Sequence, residues 1–532
     1  MSRFRSNLAF VALSKLDDCT PRLISRVRHN QIPLSASQRT ELDQLVAQGQ
    51  RELAMYTEYL PDSQEEAFYL GTEKGRLEEQ VSFAKSLMAP IRRLPPEILD
   101  EIFIAHGTPN IIKSKSCDIP GLKIASVCSH WRSIAFANTR LWRHTLIICR
   151  ENHPPWHGGR SLLIENLLGL SGNSFLTVSI DARGKITEAP PVLLLLCQQA
   201  HRWQRLHGIC SPEASAIQTV LSSLKGHLNA LESFHFLDPS QVSLTCIENA
   251  PQLHKLALFT MNTENIVVPW NQLLHFTVAQ SSLCLLVQAI AKMPQLTKLS
   301  AALCMNSDHD NIAYMRPVRS NLAALEIGII NLFTEQNMSL LFDALTLPNL
   351  NFLSIITEHN HITNQQEQRW SANQLPSFIS RSSVLLTTFE LRKTWIPTND
   401  LISLLRQMPK LILLSIVEPF QGESDTTKPM INDEFLLHIR CEANRQTVLP
   451  DLTSLILEDC KLSSFSMDAF IKLIHSRFDY SFIDVAPIRK VRLQISCGTV
   501  PLSGEIRSLL ALRTKGLVVE IQDQDGDIAR EI

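Results

Sequence analysis

The strongest constraint on how this chain can fold is a short phrase, L-x-x-L-x-L or a close variant, that returns through its C-terminal two-thirds. It places apolar residues at Leu253, Leu256 and Leu258, at Leu296, Leu299 and Ala301, at Leu322, Leu325 and Ile327, and at Leu350, Leu353 and Ile355. It comes back at Leu386, Phe389 and Leu391, at Leu411, Leu414 and Ile416, and at Leu452, Leu455 and Leu457. Leu231 to Phe236 and Leu273 to Val278 fit the same pattern. Pro251, Pro294, Pro348, Pro409 and Pro450 each stand two residues before a phrase's first leucine. They follow apolar runs that read as helices, such as Leu285 to Met293 and Leu401 to Met408. Proline lacks the amide proton that would continue a helix and pushes its predecessor toward extended geometry. The expected unit is a helix, a proline stop and a short strand.

One such unit cannot bury its own apolar face, whereas stacked units share a core and run their strands in parallel. The phrase resembles the strand segment of a leucine-rich repeat, which implies a curved solenoid with its parallel sheet on the concave side. The spacing drifts from about 20 to about 40 residues, and the asparagine of regular repeats is mostly missing. An irregular α/β or all-helical array, in which L-x-x-L is one face of a helix, accommodates the same leucines. The longer gaps, Asn360 to Pro376 and Pro419 to Arg445, read as loops or extra helices. Residues flanking the strand leucines are expected on the concave face: His254, Lys255, Thr297, Lys298, Ala323, Ala324, Asn351, Thr387 and Thr388. Their chemistry is mixed and implies no ligand class.

A chain of 532 residues has room for two or three folding units around a large core. With 45% hydrophobic and 19% charged residues, composition argues against disorder of the whole chain. The formal net charge of -2 carries no broad footprint for nucleic acid. Twelve cysteines are scattered without a C-x-x-C pair, which argues against a zinc ribbon or disulfide framework. Reduced, buried thiols in a reducing compartment are expected. No apolar run approaches the ~20 residues of a membrane span; the richest is Val192 to Cys197. Arg3 and Arg5 precede only a short apolar patch, Leu8 to Leu13, and Asp17 and Asp18 oppose a presequence reading of the arginines up to Arg28. The expected location is the cytoplasm or nucleus.

Residues 1–34 show no sustained period and read as a variable arm. Ser35 to Leu60 reads as a helix opened by a capping-box pair, Ser35 and Gln38. Its apolar face is Leu42, Leu45, Leu53, Tyr56 and Leu60, with Gly49 a weak link and Pro61 its stop. A second helix from Asp62 or Ser63 carries Leu70, Leu77, Val81, Ala84 and Met88 at coiled-coil-like spacing. Pairing with another copy and packing back on its own chain both satisfy this helical segment, 35–88.

Residues 89–145 form the most informative segment. Pro95 and Pro96 suit the first turn of a helix, where the missing amide proton is no loss. Glu97, Asp100 and Glu101 then lie toward the positive end of its dipole. Ile98, Leu99, Ile102 and Phe103 line one wide apolar face. After a loop from Ala105 to Pro120, Leu122 to Phe136 is a second helical run with Ala125, Val127, Cys128, Trp131 and Ala135 on one face, and Leu141 and Trp142 close the segment. So small a unit buries too little surface to be comfortably stable alone.

The pattern L-P-P-E-I-L-x-E-I-F, then S-V-C-x-x-W-R-x-I-A, then L-W resembles the F-box, above all the version in large fungal F-box families, where P-I-R-R often precedes it. The resemblance covers about a tenth of the chain. It implies a three-helix unit that docks a Skp-family adaptor and, through it, a cullin–RING ubiquitin ligase of the SCF type. The adaptor-facing positions it implies are Leu94, Pro95, Ile98, Leu99, Ile102, Phe103, Val127, Cys128, Trp131, Leu141 and Trp142. Two departures stand out: the loop from Ala105 to Pro120 is long, and Thr139 replaces the proline usual before the final leucine and tryptophan. The leucine-rich part also resembles that of other F-box proteins, where this surface holds the target.

The expected organisation is thus α/β, mostly α-rich: an arm (1–34), a helical or coiled-coil segment (35–88), a three-helix F-box (89–145), a leucine-rich solenoid (146–515) and an acidic tail (516–532). No phosphate loop, nucleophile elbow or metalloprotease helix appears. His359 and His361 read as solvated loop residues, and Asp523, Asp525 and Asp527 lack the spacing of a calcium loop. The expected protein is a non-catalytic target receptor without metal or cofactor, bound to neither nucleic acid nor membrane. A leucine-rich scaffold with an unused F-box shares the same features.

Overall fold

The computed structural model describes residues 25–26, 29, 36–58, 64–107, 109–150, 159–237, 242–261, 268–304, 316–330, 335–358, 374–382, 385–419, 429–442, 446–478, 485–497, 504–523 and 526–527. Most of the arm (1–24, 27–28 and 30–34), Ser35, Leu60, Pro61, His359 and His361 lie outside them. The protein is α/β, with helices between the strands of a mostly parallel sheet. It divides into two compact units, 1–203 and 204–532.

The first unit opens with α1 (Ala36–Glu58) and α2 (Gln64–Met88), which pack as a helical hairpin. Leu42 and Val46 of α1 meet Leu77, Val81, Ala84 and Leu87 of α2, flanked by half-buried Leu45, Leu53, Tyr56 and Met88. At Gly49 the two helices approach closely: a Cβ there would overlap the Val81 methyl. Arg92, buried in the 3-10 turn Pro90–Arg93, donates its Nε–H to the Ser86 carbonyl at 2.6 Å and so ties the end of α2 to the next segment.

That segment comprises α3 (Pro96–His106), β1 (Asn110–Lys113), β2 (Cys117–Asp118), α4 (Pro120–Ala125), α5 (Ser129–Ala137) and β3 (His144–Arg150). The stretch from Ala105 to Pro120, expected as a loop, is in fact a β-hairpin: Ile111 of β1 pairs antiparallel with Asp118 and parallel with Leu146 of β3. Burial of Ile112 and Ile119 explains it. So does Asn110, whose Nδ2 donates to the carbonyls of Leu141 (3.0 Å) and His144 (3.1 Å). The three helices are thereby built onto a sheet that continues past residue 145, through β3 to its parallel neighbour β4 (Leu176–Arg183). Helices α6 (Gly159–Leu170) and α7 (Pro191–Cys197) complete the unit. Trp142 donates its indole N–H to the Ala135 carbonyl at 2.9 Å, and Trp203 donates to that of Leu196 at 3.1 Å. Each tryptophan follows a 3-10 turn, Thr139–Leu141 or Ala200–Arg202, so one helix–turn–tryptophan device is used twice.

The second unit is one run of parallel strands: β5 (Trp203–Cys210), β6 (Ser233–Leu237), β7 (Lys255–Thr260), β8 (His275–Ser281), β9 (Lys298–Leu303), β11 (Ala324–Ile330), β13 (Phe352–Glu358), β14 (Thr388–Arg392), β15 (Leu413–Val417), β16 (Ser454–Lys461), β17 (Lys490–Cys497) and β18 (Val518–Asp523). A separate pair, β10 (Val318–Arg319) with β12 (Leu345–Thr346), lies beside it. All nine phrases lie on strands and in one register. Leu206, Phe234, Leu256, Phe276, Leu299, Leu325, Leu353, Phe389, Leu414, Leu455, Val491 and Val519 form a continuous ladder, every rung buried.

The prolines act through one device. In Met293–Pro294–Gln295–Leu296 the leucine N–H donates to the Met293 carbonyl at 3.2 Å, closing a β-turn. Leu253, Leu350, Leu411 and Leu452 make the same bond to Ala250, Leu347, Met408 and Leu449. Proline's fixed φ suits the second position of such a turn. Among the described residues, helices fill some of the gaps between strands. Ser282 caps α9 (Leu283–Lys292) by accepting from the Leu285 N–H, and Asn432 caps α13 (Asp433–Ile439) by accepting from Phe435 at 2.9 Å. Preceding and intervening helices are α8 (Ser215–Ser222), α10 (Glu335–Ala344), α11 (Gln374–Ser382) and α12 (Thr398–Leu405), and α14 (Met467–Phe478) and α15 (Gly504–Ala511) follow. The C-terminal stretch expected as an acidic tail begins instead with β18, whose Val519 and Ile521 are core; β19 (Gly526–Asp527) folds back on it.

Candidate docking surface

The eleven positions expected to face an adaptor separate into two groups. Leu99, Phe103, Cys128, Leu141 and Trp142 are each at most 3% exposed and form the core between α3, α4 and α5. In the chain by itself these five are packed inside rather than at the surface. An amphipathic stripe as wide as I-L-x-x-I-F has an inner and an outer half, and only the inner half meets the other helices. Pro95, Ile98, Ile102 and Val127 are exposed, and Leu94 and Trp131 are half-buried. Ile98 at 49%, Ile102 at 39% and Val127 at 44% are high values for large aliphatic side chains.

The exposed residues lie on two strips. Ile98 and Ile102 are one turn apart on α3, and Val127 and Trp131 are one turn apart where α5 begins. Beneath them buried Phe103 of α3 packs against Trp131, ring centroids 4.9 Å apart and the planes tilted. Leu122 (41%) and Phe136 (42%) are further exposed apolar residues on α4 and α5 that sequence reasoning left out. Both fall inside helical runs with no sign of which way each side chain points.

The rest of the pattern has local structural causes. The Cys128 sulfur caps α5 by accepting from the Trp131 N–H at 3.4 Å. Arg132 donates its Nε–H to the Ala125 carbonyl at 3.0 Å and finishes α4. Asn138 caps the turn Thr139–Leu141 by accepting from the Arg140 N–H at 3.0 Å, and its amide donates to Asp100 of α3 at 3.1 Å. It thus anchors a turn that lacks a proline. Arg140 and Glu101 add an exposed ion pair at 2.7 Å, worth little by itself.

In the second unit, the residues expected to flank the strand leucines occupy two rows across the sheet. His254, Thr297, Ala323, Asn351 and Thr387 lead into the strands; there the Thr297 and Thr387 hydroxyls donate to the carbonyls of Leu274 (2.9 Å) and Asn351 (3.1 Å). Lys255, Lys298, Ala324 and Thr388 begin the strands, in one row with Arg205, Ser233, His275 and Phe352.

The described cysteines are free, and burial pushes the Cys197 thiol up to about 12, which keeps it protonated. Among the described residues no cluster of three or more His, Cys, Asp or Glu side chains could hold a metal ion, and no helix is long and apolar enough to cross a membrane. No family model matches this chain, and no curated protein matches it at a significant level.

Proposed function

We propose that the chain is the target-recognition subunit of an SCF-type cullin–RING ubiquitin ligase. In this reading the segment 89–145 is an F-box that docks a Skp-family adaptor, and the second unit is a degenerate leucine-rich solenoid that holds a target protein. The observation that carries it is the set of exposed apolar side chains Pro95, Ile98, Ile102 and Val127, with half-buried Trp131, beside the buried core of Leu99, Phe103 and Trp142. Aromatic and aliphatic anchors of this kind dominate binding when a partner covers them. The receptor itself performs no bond chemistry. It holds target lysines near a charged ubiquitin carrier and so raises their effective concentration.

The test is co-purification with a Skp-family adaptor from the source cell, for the parent chain and for a variant with Leu94 and Pro95 both changed to alanine. A stable complex that the double variant loses supports the reading. Separate elution of chain and adaptor at micromolar concentrations overturns it, since a stable interface of about 1,600 Å² would survive gel filtration. Point variants serve better than deletion of 89–145, which would strip β1 from β3. A target stabilised in cells by the same double variant separates a degradative receptor from a leucine-rich scaffold.

A further inference from the structure

On the open face of β5 to β9 every ionisable side chain is basic, set among neutral residues such as Ser233, Thr277 and Ser300. Opposite the leucine ladder these strands carry Arg205, His207, His235, Lys255, His275 and Lys298, and they contain no aspartate or glutamate. Arg205, Ser233, Lys255, His275 and Lys298 share one row, each the register partner of the next. Adjacent strands lie about 4.8 Å apart, so the fixed cations, one on every second strand, recur at about 10 Å. Arg205, Lys255 and Lys298 are exposed and make no ion pair among the described residues. The nearest carboxylate along the lead-in row, Glu232, accepts from the Gln204 amide at 3.0 Å. The far end of the sheet differs: Arg492 lies between Glu458 (3.2 Å) and Glu520 (3.6 Å), so its charge is neutralised within the face. Burial first, then the charges of Lys255, Lys298 and His254, hold the His275 imidazole below its usual range.

We infer that this row is the docking site for an acidic, extended segment of the recruited protein, lying across the strands with carboxylates on Arg205, Lys255 and Lys298. The inference rests on the reading of the second unit as the target-binding part. A polyproline-II segment advances about 3.1 Å per residue with three residues per turn, so carboxylates at every third position recur on one side at about 9.3 Å. That pitch matches the cation spacing. A single phosphate group would need several donors converging on one point, whereas these cations are spread one to a site.

The experiment measures binding of a fluorescent proline-rich peptide, with glutamate at every third position, to the full chain by anisotropy. The expected result is saturable binding that weakens with salt and falls about tenfold or more when Lys255 and Lys298 become glutamate, while Lys515→Glu leaves it unchanged. Lys255→Gln with Lys298→Gln is the gentler pair and is expected to weaken binding in the same direction. Binding is also expected to raise the His275 imidazole pKa, read by NMR. Equal binding by parent and both double variants, or equal binding of a peptide with the same glutamates clustered at one end, overturns the inference. So does capture of a single-stranded RNA in preference to the peptide. Adaptor binding is measured on the same samples: its retention without peptide binding removes this inference alone, and peptide binding without adaptor binding removes the ligase reading alone.

Discussion

The indole of Trp142 lies against the backbone of Gly121, so closely that a Cβ at residue 121 would stand 2.7 Å from two of its ring atoms. Gly121 is in the first turn of α4, and Trp142 is 1% exposed with its N–H given to Ala135. Gly121→Ala is therefore expected to overpack the three-helix core and destabilise the first unit by about 1–3 kcal/mol. Urea unfolding followed by tryptophan fluorescence checks it. An unchanged midpoint would mean that the ring moves aside freely.

The same eleven positions are expected to behave in two ways. Ile98→Asp and Val127→Asp should leave the melting temperature nearly unchanged, because both side chains already face water, and on the proposed reading should weaken adaptor binding by tenfold or more. Leu99→Ala and Phe103→Ala should lower stability by about 2–5 kcal/mol through loss of buried contacts and the cavities left behind. Calorimetric binding and thermal melts, run on all four variants, separate the groups. A large stability loss from Ile98→Asp would place that side chain in the core.

Legibility in the sequence followed the range of the interaction. The proline stops and the strand leucines were readable because each rests on residues a few positions apart, though the β-turn that each proline closes was not foreseen. The hairpin of β1 and β2 was not, since its four-residue strand owes its existence to β3, more than thirty positions on. The stripe in α3 announced a buried helix but not which half faces inward. Gly49 reads as a flaw in a helical stripe until Val81 is seen across from it. The basic row needed the register most of all: Arg205 and Lys298 belong to one row only because five strands align. Val518 to Asp523 was obscured by the aspartates that follow it.

Glu418, 3% exposed at the end of β15, accepts from the Ile431 N–H at 2.9 Å. Burial pushes its carboxyl up to about 7, against the opposing pull of the Ile431 and Met430 amides and Lys461, with Asp459 adding to the rise. A carboxyl whose folded pKa exceeds its unfolded value binds its proton more tightly when folded. Its contribution is complete below about 4.5 and is lost as pH rises through about 7. The second unit is expected to lose up to about 3 kcal/mol from this group between mildly acidic and alkaline solution. Glu418→Gln, which keeps an acceptor for Ile431, should flatten that slope. Parallel pH slopes for parent and variant in thermal melts would assign the titration elsewhere.

The contact between Gly49 and Val81 yields the sharpest test of the helical hairpin. Glycine in a helix interior costs roughly 1 kcal/mol relative to alanine, so Gly49→Ala would stabilise an isolated or differently paired α1. In the hairpin the new methyl overlaps the Val81 side chain, and the helices must separate or tilt. Gly49→Ala alone is therefore expected to destabilise the first unit. Val81→Ala alone should also cost stability, because Val81 is buried in the hairpin core. Combined, the two exchange a glycine–valine contact for an alanine–alanine one of similar bulk. The double variant should then be more stable than the sum of the single effects by on the order of 1 kcal/mol, the coupling expected of residues in direct contact. Additive effects in a double-mutant cycle would mean that α1 and α2 do not cross at this point, and a dimer stabilised by Gly49→Ala alone would replace the hairpin with a coiled coil between two copies.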